Sequence, residues 1–475
     1  MAEGQRPDTG ATRPDPEEQT EVPHGDGTAV LPPDETSAAR LFGSPAFFRL
    51  WLAQVASSLG DWIGFVAVTA IAARIGGSSQ EAAVGVVLSA RLVPGFFLAP
   101  VAGVLIDRWD RKKVMVLCDI GRGITLATLP WVDTLPGLVL ASLLLEIFTL
   151  MWSPAKEASV PNMVRKEYLA TANSLSLVAA YGTFPIGTAL FAALAGVASF
   201  LARYDALAGL RVDQTSVAIF FDVGTFFVSA FLISTLALPA RQSTGTRGKI
   251  ELGAAFRDVR EGFTFIGQSR LIRSVMLAIA TGLIGGGMLV PLGPRFASSV
   301  LGGGTAAFGL VLTAMGSGVA AGIVALSVLQ SRIPHTRVFV LSVFGAGLSI
   351  MAGASMSDLR LALGFVFLLG TFAGAIYVLG FTILQANVED EIRGRIFATL
   401  YTLVRFCLLL AFALAPFLSS ALGALSSRLF EGHVEVLGID VALQGVRLTL
   451  WLGGLIILAA GWVAVVGLRE PRAEE

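Results

Sequence analysis

The sequence predicts an all-α membrane protein with twelve transmembrane helices in two six-helix pseudo-repeats. Three observations carry this prediction. The chain is 54% hydrophobic and only 14% charged over 475 residues, whereas soluble domains carry roughly 25% charged residues. Its apolar residues gather into about twelve runs, each near the ~20 residues that a membrane span needs. A short sequence also recurs half a chain later: VPNMVRKEYLAT at 160–171 is echoed by VEDEIRGRIFAT at 388–399. The echo aligns Val160 with Val388, Arg165 with Arg393, and Ala170–Thr171 with Ala398–Thr399. Both copies precede an odd-numbered span, the fifth and the eleventh, as two copies of one six-helix unit require.

Taken in order, residues 1–44 are Pro-rich, acidic and poor in large apolar side chains. Such a segment cannot bury enough surface to fold and lacks the basic-then-apolar pattern of a secretory signal, so a disordered cytoplasmic tail is expected. The spans are expected at 47–73, 82–106, 114–131, 136–153, 172–200, 216–238, 271–296, 305–329, 337–355, 359–385, 396–422 and 445–468. They divide into an N-terminal bundle (45–238), a linker (239–270), a C-terminal bundle (271–468) and a short tail (469–475). In the linker, Leu252, Phe256, Val259, Phe263 and Ile266 fall on one helical face, with Arg257, Asp258, Arg260 and Glu261 elsewhere. That pattern suits a helix lying on the membrane surface.

Charge sets the orientation. The turns after even-numbered spans, with the C-terminal tail, hold about 20 Lys/Arg; the alternate turns hold about 7, which places the even turns and both termini in the cytoplasm of a plasma membrane. The formal net charge is zero, so no nucleic-acid partner is implied. Cys118 and Cys407 both lie in apolar runs and suggest no disulfide framework. His24, His335 and His433 are far apart, and the chain lacks a phosphate loop, a G-x-S-x-G elbow and a metal-spaced His/Cys cluster. No enzyme, metal or cofactor is expected, and the chain reads as a monomer.

The turn after the second span carries the most specific pattern, GVLIDRWDRKK at 103–113. Gly103 permits close helix packing where the run ends. Asp107 and Arg108 follow, then the basic knot Arg111, Lys112 and Lys113. With FRLWLAQVASSLGDW at 48–62, SPAKEASVP at 153–161 and DEIRGRIFA at 390–398, the chain from about Leu41 to Arg469 resembles the major facilitator superfamily. More narrowly, it resembles the bacterial branch of drug, macrolide and enterobactin exporters. The resemblance implies a rocker-switch transporter with one central cavity between its halves. It also implies that Asp107 sits beside the start of the eleventh span and holds the halves together on the cytoplasmic side. The offset between halves puts a second copy of this turn near Ser331–Arg337, basic but without the acid. Gly182, Pro185 and Gly187 echo the Gly/Pro motif of such exporters in the fifth span, without its full glycine pattern; as bare chemistry they predict a kinked, closely packed helix.

Charges inside the spans are the candidate working residues: Asp61, Arg91, Asp119, Arg122, Glu146, Asp222 and Arg405. Each costs roughly 2.5–3.5 kcal/mol at a helix centre, so such residues face the bundle interior and pair. Asp119 and Arg122, three apart, suggest an intrahelical pair. Asp61, near the middle of the first span, is the leading proton-coupling candidate, with a fixed ion pair to Arg91 as the competing reading. Glu146 and Asp222 are the other protonatable candidates; neither has an evident partner, and Asp222 is expected near the outer end of its helix, open to water. Arg405 suits either a pair with one of these acids or an anionic substrate group. With 31 Phe and 5 Tyr, the cavity is expected to be mainly apolar and its substrate a small amphiphile. The expectation is an exporter exchanging substrate for protons by alternating access. The alternatives are a lipid or lysolipid flippase on the same fold and a non-transporting membrane sensor.

Overall fold

The computed structural model of the chain describes residues 42–106, 109–165, 168–201, 215–237, 269–329, 333–388, 390–430, 433–436 and 439–468. Asp107, Arg108, Ser331, Arg332, most of the N-terminal tail, the 239–268 stretch with its expected surface helix, and the 469–475 tail lie outside the described residues. What is described is almost entirely helical. Eleven of its helical stretches are long and apolar enough to cross a membrane.

The first stretch, Pro45–Leu98, takes in two α-helices: α1 (Pro45–Gly76) and α2 (Gln80–Ile106). α1 starts at Ser44, whose side chain accepts from the Phe47 amide at 3.0 Å, with Pro45 in the first turn, where its missing N–H costs nothing. It stops at Gly77, whose φ of 53° suits glycine. The expected tail ends earlier than residue 44: Phe42 is buried against Phe47, Phe48 and Trp51.

Next come α3 (Arg111–Thr128) and α4 (Leu135–Ser159). The fifth span is α5 (Leu169–Leu177), a π-helical turn (Val178–Gly182) and α6 (Thr183–Leu201). α7 (Ser216–Ser234) follows. The seventh span, expected as one helix, is α8 (Arg270–Gly287), α9 (Leu289–Arg295) and a π turn (Phe296–Val300). It breaks at Met288 because Pro291 has no N–H to offer the Gly287 carbonyl one turn back. The remaining helices are α10 (Thr305–Leu329), α11 (His335–Ser355), α12 (Leu359–Asn387), α13 (Asp390–Phe430) and α14 (Gly445–Leu468). α13 runs past both ends of its expected span, 396–422. A hairpin unforeseen in sequence, β1 (His433–Val436) with β2 (Ile439–Ala442), precedes α14.

Helices α1–α7 pack largely on one another, as do α8 and α10–α14. The two groups meet where α6 lies on α10 and where α2 lies on α9 and α13. α10 and α12 pack backbone to backbone. A Cβ on Gly318 would sit 2.0 Å from the Phe367 carbonyl oxygen, and one on Gly370 2.1 Å from that of Met315. Gly322 and Gly374, one turn further along each helix, make the same approach. In lipid, where apolar side chains gain little by leaving the solvent, backbone contact of this kind supplies the attraction.

Candidate functional site

Four helices build a buried charge network. Asp119 and Arg122 on α3 pair directly, as their spacing predicts, and both side chains are buried. The second Asp119 oxygen accepts from Ser229 Oγ of α7 at 2.7 Å and Trp152 Nε1 of α4 at 3.3 Å. The Arg122 guanidinium lies 4.5 Å from the centroid of Phe226 and 5.3 Å from that of Trp152, a placement in which ring quadrupoles attract the cation. From α1, Asp61 reaches the same guanidinium at 3.3 Å. Asp61 is 35% exposed while Arg122 is 1% exposed, so the network runs from an open carboxylate to a sealed pair.

Two expectations are corrected here. Asp61 does not pair with Arg91; its partner is Arg122. Arg91 instead approaches Glu146 of α4, with 3.9 Å between Nε and Oε2. The turn Gly77–Ser79 sets the depths of antiparallel α1 and α2: at 1.5 Å per residue, Asp61 lies ~22 Å from that turn and Arg91 ~16 Å. α2 also packs against α4, so Arg91 finds Glu146 there. Nor is Asp222 open to water. It is wholly buried about two turns into α7, against Gly60 and Gly64 of α1, which lack the side chains that would fill its space. One oxygen accepts from Thr225 Oγ1 at 3.2 Å; the other has no hydrogen-bond partner among the described residues.

Arg405 of α13 crosses to the other helix group, where Nη1 donates to the Gly95 carbonyl of α2 at 3.0 Å. Glu146 lies within electrostatic range of Asp61, Arg91 and Arg405. Elsewhere α2 is tied to the C-terminal helices at its start: Glu81 accepts from Ser419 Oγ at 3.2 Å and stands 3.8 Å from Arg295 Nε. Neither tie was foreseen, because its members are distant in sequence. Ser229 was missed too, although it lies two turns beyond Asp222 on the same face of α7, and a polar side chain so placed in an apolar helix signals a partner.

The Gly/Pro segment of the fifth span packs on α1 in part: Gly187 is buried there, while Gly182 is exposed. Its π turn presents carbonyls to α1: Trp62 Nε1 donates to Ala180 O at 3.0 Å, and just before the turn Trp51 and Gln54 donate to Leu175 O and Ser176 O at 2.8 and 2.9 Å. A Cβ on Gly187 would lie 2.8 Å from that of Trp62. Pro185 lies two residues before Gly187, on a helix thereby clamped to α1.

In the 103–113 turn, Gly103 lies in the last turn of α2. Asp110 caps α3, accepting from the Lys113 amide at 3.1 Å, and offsets three cations at a helix end that repels them. Two of the cations reach the opposite helix ends instead: Arg111 Nη1 donates to Ala158 O at 2.5 Å and Lys112 Nζ to Leu236 O at 2.8 Å. The knot therefore ties the C-terminal ends of α4 and α7, where cations are favoured. No cluster of three or more His, Cys, Asp or Glu suited to a metal occurs among the described residues.

Such a fold, with charges buried between apolar helices, defines a multi-pass helical membrane protein. Solved structures of this class match it closely. A bacterial homolog of the human lysosomal transporter Spinster, captured inward-facing and unoccupied, superposes with a TM-score of 0.68 at 16% identity, covering 89% of this chain and 97% of that one. The nucleoside transporter NupG superposes with a TM-score of 0.62 at 13% identity, covering 90% and 100%. The sequence profile described as transmembrane secretion effector matches residues 36–459, and the chain belongs to that family, within the major facilitator superfamily. Its members are plasma-membrane transporters and not enzymes. Relatives include the MFS-type transporter YfiS of Bacillus subtilis, 23% identical over 88% of this chain and 92% of that protein. The multidrug efflux pump Tap of Mycobacterium tuberculosis is 24% identical over 80% and 88%. The enterobactin exporter EntS of Citrobacter koseri is 26% identical over 86% and 92%.

Proposed function

We propose that this protein exports small amphiphilic compounds across the plasma membrane by alternating access, exchanging them for protons. The observation that carries the reading is the half-open Asp61 joined to the sealed Arg122–Asp119 pair. A carboxylate so placed trades its ion pair for a proton with little movement, and the partner left behind keeps Asp119 as counter-ion. Efflux by the relatives Tap and EntS supports the outward direction. Counting α1 and α2 separately, the helical stretches number twelve, in two six-helix halves at 45–238 and 271–468, with both termini cytoplasmic. On that topology the Glu81 contacts with Ser419 and Arg295 close the outer mouth, which supports an inward-open state. Asp107 then serves as the cytoplasmic latch, meeting the positive end of the eleventh-span helix when the cavity closes inward. Glu146 and Asp222 are the reserve proton sites, Glu146 held by Arg91 and Asp222 sealed against α1.

Asp61→Asn tests this in proteoliposomes with an imposed proton gradient and an uncoupler control. We expect normal folding, loss of uphill export and survival of downhill equilibration. Undiminished, pH-dependent uphill export by well-folded Asp61→Asn protein would overturn the assignment and move it to Glu146.

A further inference from the structure

Three of the chain's five tyrosines converge on one place. On α13, Phe397, Tyr401 and Arg405 recur every four residues and so share a helix face. On α12, Tyr377 and Phe381 do the same. The two faces meet through their rings: the Phe381 centroid lies 4.4 Å from Tyr377, 5.3 Å from Phe397 and 6.1 Å from Tyr401. Tyr181, from the π turn in the other half, is within electrostatic range of both Tyr377 and Tyr401. Tyr181, Tyr377 and Tyr401 remain 60%, 46% and 52% exposed. Phenylalanine would serve lipid contact equally well; a phenol at this depth suits a space that admits polar atoms.

The aromatic face leads to a cation. From Phe397 to Tyr401 to Arg405 each step rises ~6 Å into the membrane. The three arginines in this central region differ in one respect. Arg91 and Arg122 each have a carboxylate within salt-bridge distance. Arg405 has none among the described residues; it is anchored by a neutral carbonyl, that of Gly95. A guanidinium offers five N–H donors in a planar fork, and one such anchor leaves the rest for a planar acid group.

We propose that Tyr377, Phe381, Tyr401 and Arg405 form a substrate subsite selective for aromatic anions: a planar ring bearing a carboxylate or sulfonate. The ring lies against Phe381 and Tyr401, Tyr181 closes the space from the other half, and the acid group ends on Arg405. The subsite rests on the exporter reading for its place in the transport path, and it narrows the substrate class to one charge sign.

Equilibrium dialysis of the full-length protein in detergent, corrected with empty micelles, tests it with three probes of one shape: 1-naphthoate, neutral 1-naphthalenemethanol and cationic 1-naphthylmethylamine. We expect 1-naphthoate to bind about 10-fold more tightly than the alcohol, with the amine weakest. Arg405→Gln is expected to lower 1-naphthoate affinity about 10-fold to the level of the alcohol and leave the alcohol within about twofold; Arg405→Lys should restore part of the preference. Tyr401→Leu and Phe381→Leu are expected to weaken acid and alcohol alike, by about fivefold, and preserve the preference between them. Retained alcohol binding shows that a variant is folded. If Arg405→Gln fails that check, the charge order of the wild type together with Tyr401→Leu decides. Equal or tighter binding of the amine, absence of 1-naphthoate binding, or an anion preference that survives in folded Arg405→Gln overturns the proposal. The predicted charge order in a protein that exports nothing uphill would overturn the exporter reading alone; uphill export without 1-naphthoate binding would overturn the subsite alone.

Discussion

Asp119 illustrates how a charge is kept inside an apolar slab. It is satisfied by three side chains from three helices: Arg122 of its own α3, Trp152 of α4 and Ser229 of α7. Removing one member of a buried ion pair costs about 3–5 kcal/mol, because the other charge is left alone. Asp119→Asn keeps the shape and removes the charge, so we expect a fall in stability of that order, read as a lower melting temperature of the purified protein. Ser229→Ala should cost less, about 1–3 kcal/mol, since it removes one hydrogen bond to a buried acceptor. Asp61→Asn should cost less than Asp119→Asn, because Asp61 is part-exposed and Arg122 keeps its closer partner. That order of stability separates the sealed carboxylate, which holds the bundle, from the part-exposed one.

The interface of α10 and α12 is made from glycine on both sides, and a single side chain should spread it. A Cβ at Gly318 meets backbone, which cannot turn aside as a side chain can. Gly318→Val is therefore expected to destabilise the protein by about 1–3 kcal/mol. Gly364→Val, on α12 where nothing lies within 4 Å of the added carbon, should leave the melting temperature near the wild-type value. Equal effects from both would show that the helices are not held by backbone contact. The fifth span obeys a different rule. Carbonyls of Leu175, Ser176 and Ala180 accept from side chains of α1, and Gly187 packs on Trp62, so this stretch is clamped to α1. That follows from Trp51, Gln54 and Trp62 sitting opposite, which the motif alone does not reveal.

Across the whole molecule, orientation and latch are the testable properties. The loop charge bias predicts that a single cysteine at Ser427, exposed at the end of α13, labels from outside intact cells, and that one at Ser243 labels only after permeabilisation. Labelling of Ser243 from outside would reverse the topology. Asp107→Asn is expected to leave insertion intact and cut transport strongly, measured as export by equal amounts of membrane protein. Near-normal transport would reduce Asp107 to an ordinary loop charge, since acids contribute little to orientation.

The sequence by itself determined the class of fold, most of the spans and most of the charges inside them. These follow from local properties: run length, charge in the turns, and the expense of ionising a side chain in lipid. The Asp119–Arg122 pair was legible for the same reason, its two members standing one turn apart on one helix. Only the tertiary structure decided who else pairs with whom. Asp61 takes Arg122 rather than Arg91, Glu146 takes Arg91, Asp222 is sealed behind Gly60 and Gly64, and Arg405 is left to a backbone carbonyl. Each of those outcomes depends on which helix faces meet and at what depth, and helices that all look alike to lipid are sorted by backbone approach and by the partners their few polar groups find across the interface.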